Sequence, residues 1–120
     1  MTAELTVLRV RDVTVKLQRA GRGQKVLFLH GAGGVPQWLP FFDALAEHYE
    51  LLVPEHPGFG GSDNPPRIHS MSDLAMFYLD FVEEAGLDRI HLIGNSLGGW
   101  LAAEILIRDR SRFQSLSKDI

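Results

Sequence analysis

Apolar and polar positions along this chain follow first one period and then another. Leu5 to Val10 and Asp12 to Arg19 alternate apolar with polar residues, and β-branched Val13 and Val15 stand two apart, which predicts two strands in a hairpin. Gly21-Arg22-Gly23 marks a turn. Val26-Leu27-Phe28-Leu29 follows as a short apolar run of the kind found inside a sheet covered on both faces. Trp38, Phe41, Phe42, Leu45 and Tyr49 recur at spacings of three and four, which predicts an amphipathic helix over 38–49. Leu51-Leu52-Val53 is a second buried strand, ended by Pro54.

From Pro54 to Pro66 the chain carries four prolines and three glycines, so it is a shaped loop, neither helix nor central strand. Ser70 with Asp73 three residues on has the form of a capping box. Leu74, Phe77, Tyr78, Phe81 and Val82 then make one apolar helical stripe that ends at Gly86. Ile90 to Ile93 is a third buried strand, and Leu97 to Ile107 is apolar almost all the way round, which predicts a deeply buried helix. Short apolar strands alternating with helices specify an α/β fold, a mostly parallel sheet with helices on both faces. The expected organisation is a single partial domain over 1–120. A helix at this point of a parallel sheet should feed another buried strand, yet after Phe113-Gln114-Ser115-Leu116 the chain turns polar. The expectation is therefore a fold truncated after that helix, by a shortened gene, a frameshifted end or a deliberate cut. It leaves a sheet edge open to pairing with another copy.

Composition narrows the partners. A 45% hydrophobic, 22% charged chain is not disordered, and a net charge of −3 with its basic residues scattered lacks the footprint of nucleic-acid binding. With no cysteine there is no disulfide, thiolate zinc site or cysteine nucleophile. The start at Met1 lacks a secretory signal, and no apolar run approaches the roughly 18 residues of a membrane span. A cytoplasmic chain beginning at Met1 is expected, with no membrane partner, no metal and no organic cofactor.

Candidate chemistry sits in Gly94-Asn95-Ser96-Leu97-Gly98-Gly99, which fits G-x-S-x-G between a predicted strand and a predicted helix. That context defines a nucleophile elbow, a tight strained turn that projects the Ser96 hydroxyl from the sheet end, with space left by Gly94 and Gly98. Leu97 N–H at the helix N-terminus becomes an oxyanion donor helped by the helix dipole. The bland alternative makes Ser96 a helix cap. A second motif, His30-Gly31-Ala32-Gly33-Gly34, follows the Val26–Leu29 strand, where the other oxyanion N–H belongs; Ala32 is the first candidate and Gly33 the second. His30 reads as a hydrogen-bonded scaffold residue in preference to a base. A dinucleotide loop is excluded because Pro36 stands where a third glycine is needed, and no Gly-Lys-Ser/Thr exists for a phosphate loop.

The order HGAGG, PEHPGFGGSD, GNSLGGW resembles the N-terminal half of an α/β-hydrolase-fold enzyme, over about Val26 to Ile107. The resemblance implies a hydrolase with a serine nucleophile at Ser96, acting on a small molecule at an ester or at a C–C bond next to a carbonyl. The loop at Pro57–Ser62 shapes the approach, and Glu55 stands where the family usually has aspartate. Asn95 before the serine is similar to the branch that cleaves carbon–carbon bonds of aromatic ring-cleavage products. In this fold the triad runs serine, acid, histidine along the chain, yet His30, His48, His56, His69 and His91 all precede Ser96. His56 and His69 are the two in or beside the loop able in principle to approach the elbow. The expectation is an N-terminal part of a hydrolase, inactive alone; the alternative is a non-catalytic remnant or an interaction module.

Overall fold

The computed structural model describes residues 3–35 and 38–119. The predicted hairpin forms from β1 (Glu4–Val10) and β2 (Val13–Ala20), paired antiparallel from Val10 with Val13 to Glu4 with Arg19. β3 (Lys25–Leu29), β4 (Glu50–Pro54) and β5 (Ile90–Asn95) are the three apolar runs. They join the hairpin and β6 (Phe113–Asp119) in one six-stranded sheet of order β1-β2-β4-β3-β5-β6. β3 runs parallel to both β4 and β5, and β5 parallel to β6, while β2 meets β4 antiparallel.

Strand periodicity explains why the central strands are buried on both sides, while Leu5 and Val7 of the edge strand β1 stay exposed. Leu27 and Leu29 of β3, Leu52 of β4 and Ile90 and Leu92 of β5 enter one core with α2 (Met71–Glu84) and α3 (Leu97–Arg108). Their neighbours Val26, Phe28, Leu51 and Val53 enter the other core, against Phe42 of α1 (Pro40–Ala46). β2 turns Val13, Val15 and Leu17 into the first core and keeps polar Thr14, Lys16 and Gln18 on the other face, so it reads as alternating.

Three elements differ from the pattern. α3, expected to be deeply buried, buries Leu101, Ala102 and Ile105 but turns Trp100 and Ile107 to solvent. The helix expected over 38–49 spans only Pro40–Ala46, because Pro40 occupies the first turn and forces Leu39 into extended backbone at φ −89°, ψ 151°. Trp38 stays outside it, donating from Nε1 to Asp43 Oδ1 at 2.7 Å and packing on Phe42. Pro36, on which the exclusion of a dinucleotide loop rests, lies outside the described residues. After α3 the chain does continue into a strand, β6. Its pattern is hidden because the ladder slips between Ile90 and His91, pairing Ile90 with Phe113 and His91 with Ser115. The slip lets Phe113 and Leu116, three apart, both pack on the α2–α3 core.

The capping box at Ser70 is real in half: Asp73 N–H donates to Ser70 Oγ at 3.1 Å. Ser70→Ala should lower stability by about 1 kcal/mol in urea unfolding, and an unchanged midpoint would contradict that bond.

Beyond β4 the proline-glycine loop folds back along the free half of β2. Glu55 N–H donates to the Lys16 carbonyl and Asp63 N–H to the Thr14 carbonyl, while Thr14 N–H donates to Asp63 Oδ2 and Lys16 N–H to Ser62 Oγ. Glu55 anchors the loop as well: Oε1 accepts from Gly61 N–H at 3.2 Å, and a Cβ at Gly60, where φ is +51°, would overlap its carboxylate. No helix among the described residues is long and apolar enough to cross a membrane.

Candidate active site

β5 runs into α3 through Ser96, whose backbone stands at φ 56°, ψ −115°. A non-glycine residue adopts that region only when its surroundings hold it there. The surroundings are two glycines. A Cβ at Gly94 would overlap the Gly98 carbonyl oxygen, and a Cβ at Gly98 would overlap the Leu29 carbonyl oxygen and lie 2.9 Å from that of His30. The turn is therefore so tight that strand, helix and the end of β3 touch backbone to backbone. Gly99 N–H and Trp100 N–H donate to the Ser96 carbonyl, which starts the helix. The Ser96 side chain makes no capping hydrogen bond, so the bland reading of this residue as a cap is not what the structure holds. It is exposed, and Leu97 beside it is the first helical residue, one of those whose N–H the helix leaves without a carbonyl.

Gly31 faces this turn from the end of β3. A Cβ there would lie 3.4 Å from Ser96 Cβ, 3.2 Å from the Asn95 carbonyl oxygen and 3.9 Å from Leu97 N. Ala32 and Gly33, next in the chain, are exposed, and the turn closes with Gly34 N–H donating to the Gly31 carbonyl at 3.1 Å. The structure thus brings Gly31, Asn95, Ser96 and Leu97 together, with Gly94, Gly98 and Gly99 packed behind them.

His30 and His56 are both fully buried, and their rings stack at 3.6 Å. Their tautomers follow from partners that have no choice. His56 N–H donates to His30 Nε2 at 2.9 Å, so the His30 proton is on Nδ1, which donates to the Gly31 carbonyl at 2.7 Å. The His30 carbonyl accepts from His56 Nε2 at 2.8 Å, so His56 Nδ1 is the acceptor and Tyr78 O–H donates to it at 2.7 Å. Burial lowers the His30 pKa, and burial with the neighbouring His30 lowers that of His56 to about 3, so both rings are neutral near pH 7. Burial alone raises that of Tyr78 well above the usual phenol.

This removes His56 as a base for Ser96, because both its ring nitrogens are engaged elsewhere. His69 is exposed beside Asp73, and His91 on β5 is bonded to Ser115 and Gln24. No described histidine is hydrogen-bonded to Ser96. Sequence reasoning missed Tyr78, whose position on the apolar stripe of α2 gave it the look of ordinary core; its hydroxyl was the available signal, since a buried phenol needs a partner.

Residues 25–117 match the alpha/beta hydrolase fold family. The chain belongs to that family. Over 112 residues it is 34% identical to a dihydrolipoyllysine-residue acetyltransferase component of an acetoin cleaving system from Cupriavidus necator, covering 90% of this chain and 29% of that protein. It is 32% identical over 109 residues to a 2-hydroxy-6-oxo-2,4-heptadienoate hydrolase from Pseudomonas putida, covering 87% of this chain and 40% of that protein. Among solved structures, a bacterial membrane phospholipase A superposes with a TM-score of 0.90 at 28% identity, over 97% of this chain and 39% of that one. This α/β-hydrolase chain thus spans well under half the length of these relatives.

Proposed function

We propose that this chain carries the nucleophile and oxyanion half of a serine hydrolase. The observation that carries the reading is the exposed, uncapped Ser96 in a backbone region serine avoids, at the N-terminus of α3 and opposite Gly31. Ser96 Oγ would attack a carbonyl carbon, or position water to do so, and the Leu97 and Ala32 amides would hold the developing oxyanion, with Gly33 the second candidate after Ala32. His30 and the glycines hold this geometry. A small molecule with an ester, or with a C–C bond beside a ketone, is the substrate class. The Pseudomonas putida relative is named for a 2-hydroxy-6-oxo-dienoate substrate, and Asn95 before the serine accords with the C–C branch. The acid and histidine of the triad would come from outside the described residues.

Without its base the chain should turn over esters poorly. Removing triad members leaves at best roughly 10³ to 10⁴ over water in intact enzymes. p-Nitrophenyl acetate hydrolysis by the purified chain is expected close to the buffer rate, little changed in Ser96→Ala. Turnover at ordinary esterase rates, abolished in Ser96→Ala, would show that a histidine in this chain serves as base and would overturn the assignment of half a site.

The outer edge of β6 supports a second reading, since no described strand pairs with it. An open edge of this kind templates pairing with another copy. Sedimentation should then give a concentration-dependent dimer; a monomer at all concentrations would remove that reading.

A further inference from the structure

The hydrogen bonds of the buried histidines form two runs that share His56 and His30: one passes from Tyr78 through the His56 ring to the His30 carbonyl, the other from the His56 backbone N–H through the His30 ring to the peptide that carries the second oxyanion donor. The His30 carbonyl accepts from His56 Nε2, which leaves Nδ1 to accept from Tyr78 O–H. His56 also donates its backbone N–H to His30 Nε2, which places the His30 proton on Nδ1, where it donates to the Gly31 carbonyl. That carbonyl receives a second donor, Gly34 N–H. Gly31 C=O and Ala32 N–H belong to the same planar trans peptide and point in opposite directions. Pulling the carbonyl down onto the buried His30 therefore turns the Ala32 amide the other way, out of the buried pair, and it donates to no other described residue.

We propose that Tyr78 on α2, acting through His56 and His30, is a positioning residue that sets the orientation of the Gly31–Ala32 peptide and hence of the second oxyanion donor. The inference rests on the serine-hydrolase reading above and adds to it a residue that touches neither substrate nor nucleophile. Tyr78 is fully buried, so its hydroxyl is an unusual inclusion in the α2 stripe unless its bond to His56 has a use. Phenylalanine in its place would keep the packing against Phe77 and Phe81 and delete only the donor. With no donor opposite it, Nδ1 becomes a buried acceptor without a partner, and the His56 ring keeps only its bond to the His30 carbonyl, one tether where it had two.

NMR of the ¹⁵N-labelled 120-residue chain tests this in two stages. In the free wild type, the imidazole nitrogens should show a protonated Nδ1 on His30 and a protonated Nε2 on His56; the opposite tautomer at either ring overturns the proposal without any variant. The chain is then reacted with diisopropyl fluorophosphate, whose phosphoryl oxygen occupies the place of the oxyanion once Ser96 is phosphorylated and fluoride has left with the hydroxyl proton. In the wild-type adduct the Ala32 and Leu97 amide protons should both move downfield. In Tyr78→Phe the Leu97 shift should persist and the Ala32 shift fall by at least half. His56→Gln retains one acceptor for Tyr78 and one donor for the His30 carbonyl, and should keep most of the Ala32 shift. Equal shifts of both amides in wild type and Tyr78→Phe overturn the positioning role and leave the hydrolase reading intact. Failure of both amides to respond in the wild-type adduct, or no adduct at Ser96, overturns the hydrolase reading and this inference with it. A general loosening of the core by the substitution would instead reduce both shifts together, and that result also counts against a role confined to the Gly31–Ala32 peptide.

Discussion

Gly98→Ala should destabilise the chain by at least about 3 kcal/mol, a large part of the roughly 5–15 kcal/mol available to a domain. The new methyl group would overlap the carbonyl oxygen of Leu29 and crowd that of His30, both backbone atoms at the end of β3, so no side-chain rotation relieves it. α3 would have to withdraw from the sheet, and the Ser96 turn would open with it. Gly33→Ala is the matched control. A Cβ there meets nothing within 4 Å, and its expected effect is within about 0.5 kcal/mol of zero. Urea unfolding followed by circular dichroism would read both. A Gly98→Ala midpoint equal to that of the wild type would show that helix and strand do not approach as closely as described.

Acid should weaken the fold well before its surface carboxylates titrate. The His56 pKa is depressed from 6.5 to about 3 by burial and by His30, and that of His30 is depressed in the same direction by burial. The unfolded chain therefore binds protons below pH 6.5 that the folded chain refuses. The stability from these rings is fully present above pH 6.5 and is lost as pH falls toward about 3. By pH 5 the loss from His56 alone should reach about 2 kcal/mol, with His30 adding to it. Asp12, Asp73, Glu104 and Asp109 are shifted downward, so their pH dependence lies lower and does not obscure this window. Urea midpoints at pH 7.5, 6, 5.5 and 5 should fall progressively below pH 6.5. A flat profile over that range would mean that the two histidines are not buried neutral.

Much of this architecture was legible in the sequence because burial on both faces writes apolar runs. Val26–Leu29, Leu51–Val53 and Ile90–Ile93 are strands in the structure, and the stripe from Leu74 to Val82 lies on α2 as its spacing required. What was hidden obeys stronger local rules. Pro40 overrode the helical spacing of Trp38, and the slip beside Gln114 disguised β6 by putting Phe113 and Leu116 on one side. At the site, G-x-S-x-G between strand and helix located the turn, because only glycine tolerates the backbone contacts at Gly94 and Gly98. The pairing of His30 with His56 joins residues 26 positions apart, and Tyr78 enters from a different helix. Such contacts exist only once the chain is folded, so periodicity carries no trace of them. The same folding buries His56, which loop composition alone had left within reach of the elbow.

Ser96 should be the one side chain placed to attack an electrophile, and active-site phosphorylation reads this directly. The chain and its Ser96→Ala variant would be incubated with excess diisopropyl fluorophosphate and mapped by peptide mass spectrometry over time. The expected result is a single adduct on Ser96, forming slowly for want of a base yet ahead of every other serine, and absent from the variant. Labelling spread over Ser62, Ser70 and Ser115 at the same rate as Ser96, or an adduct that persists unchanged in Ser96→Ala, would contradict it.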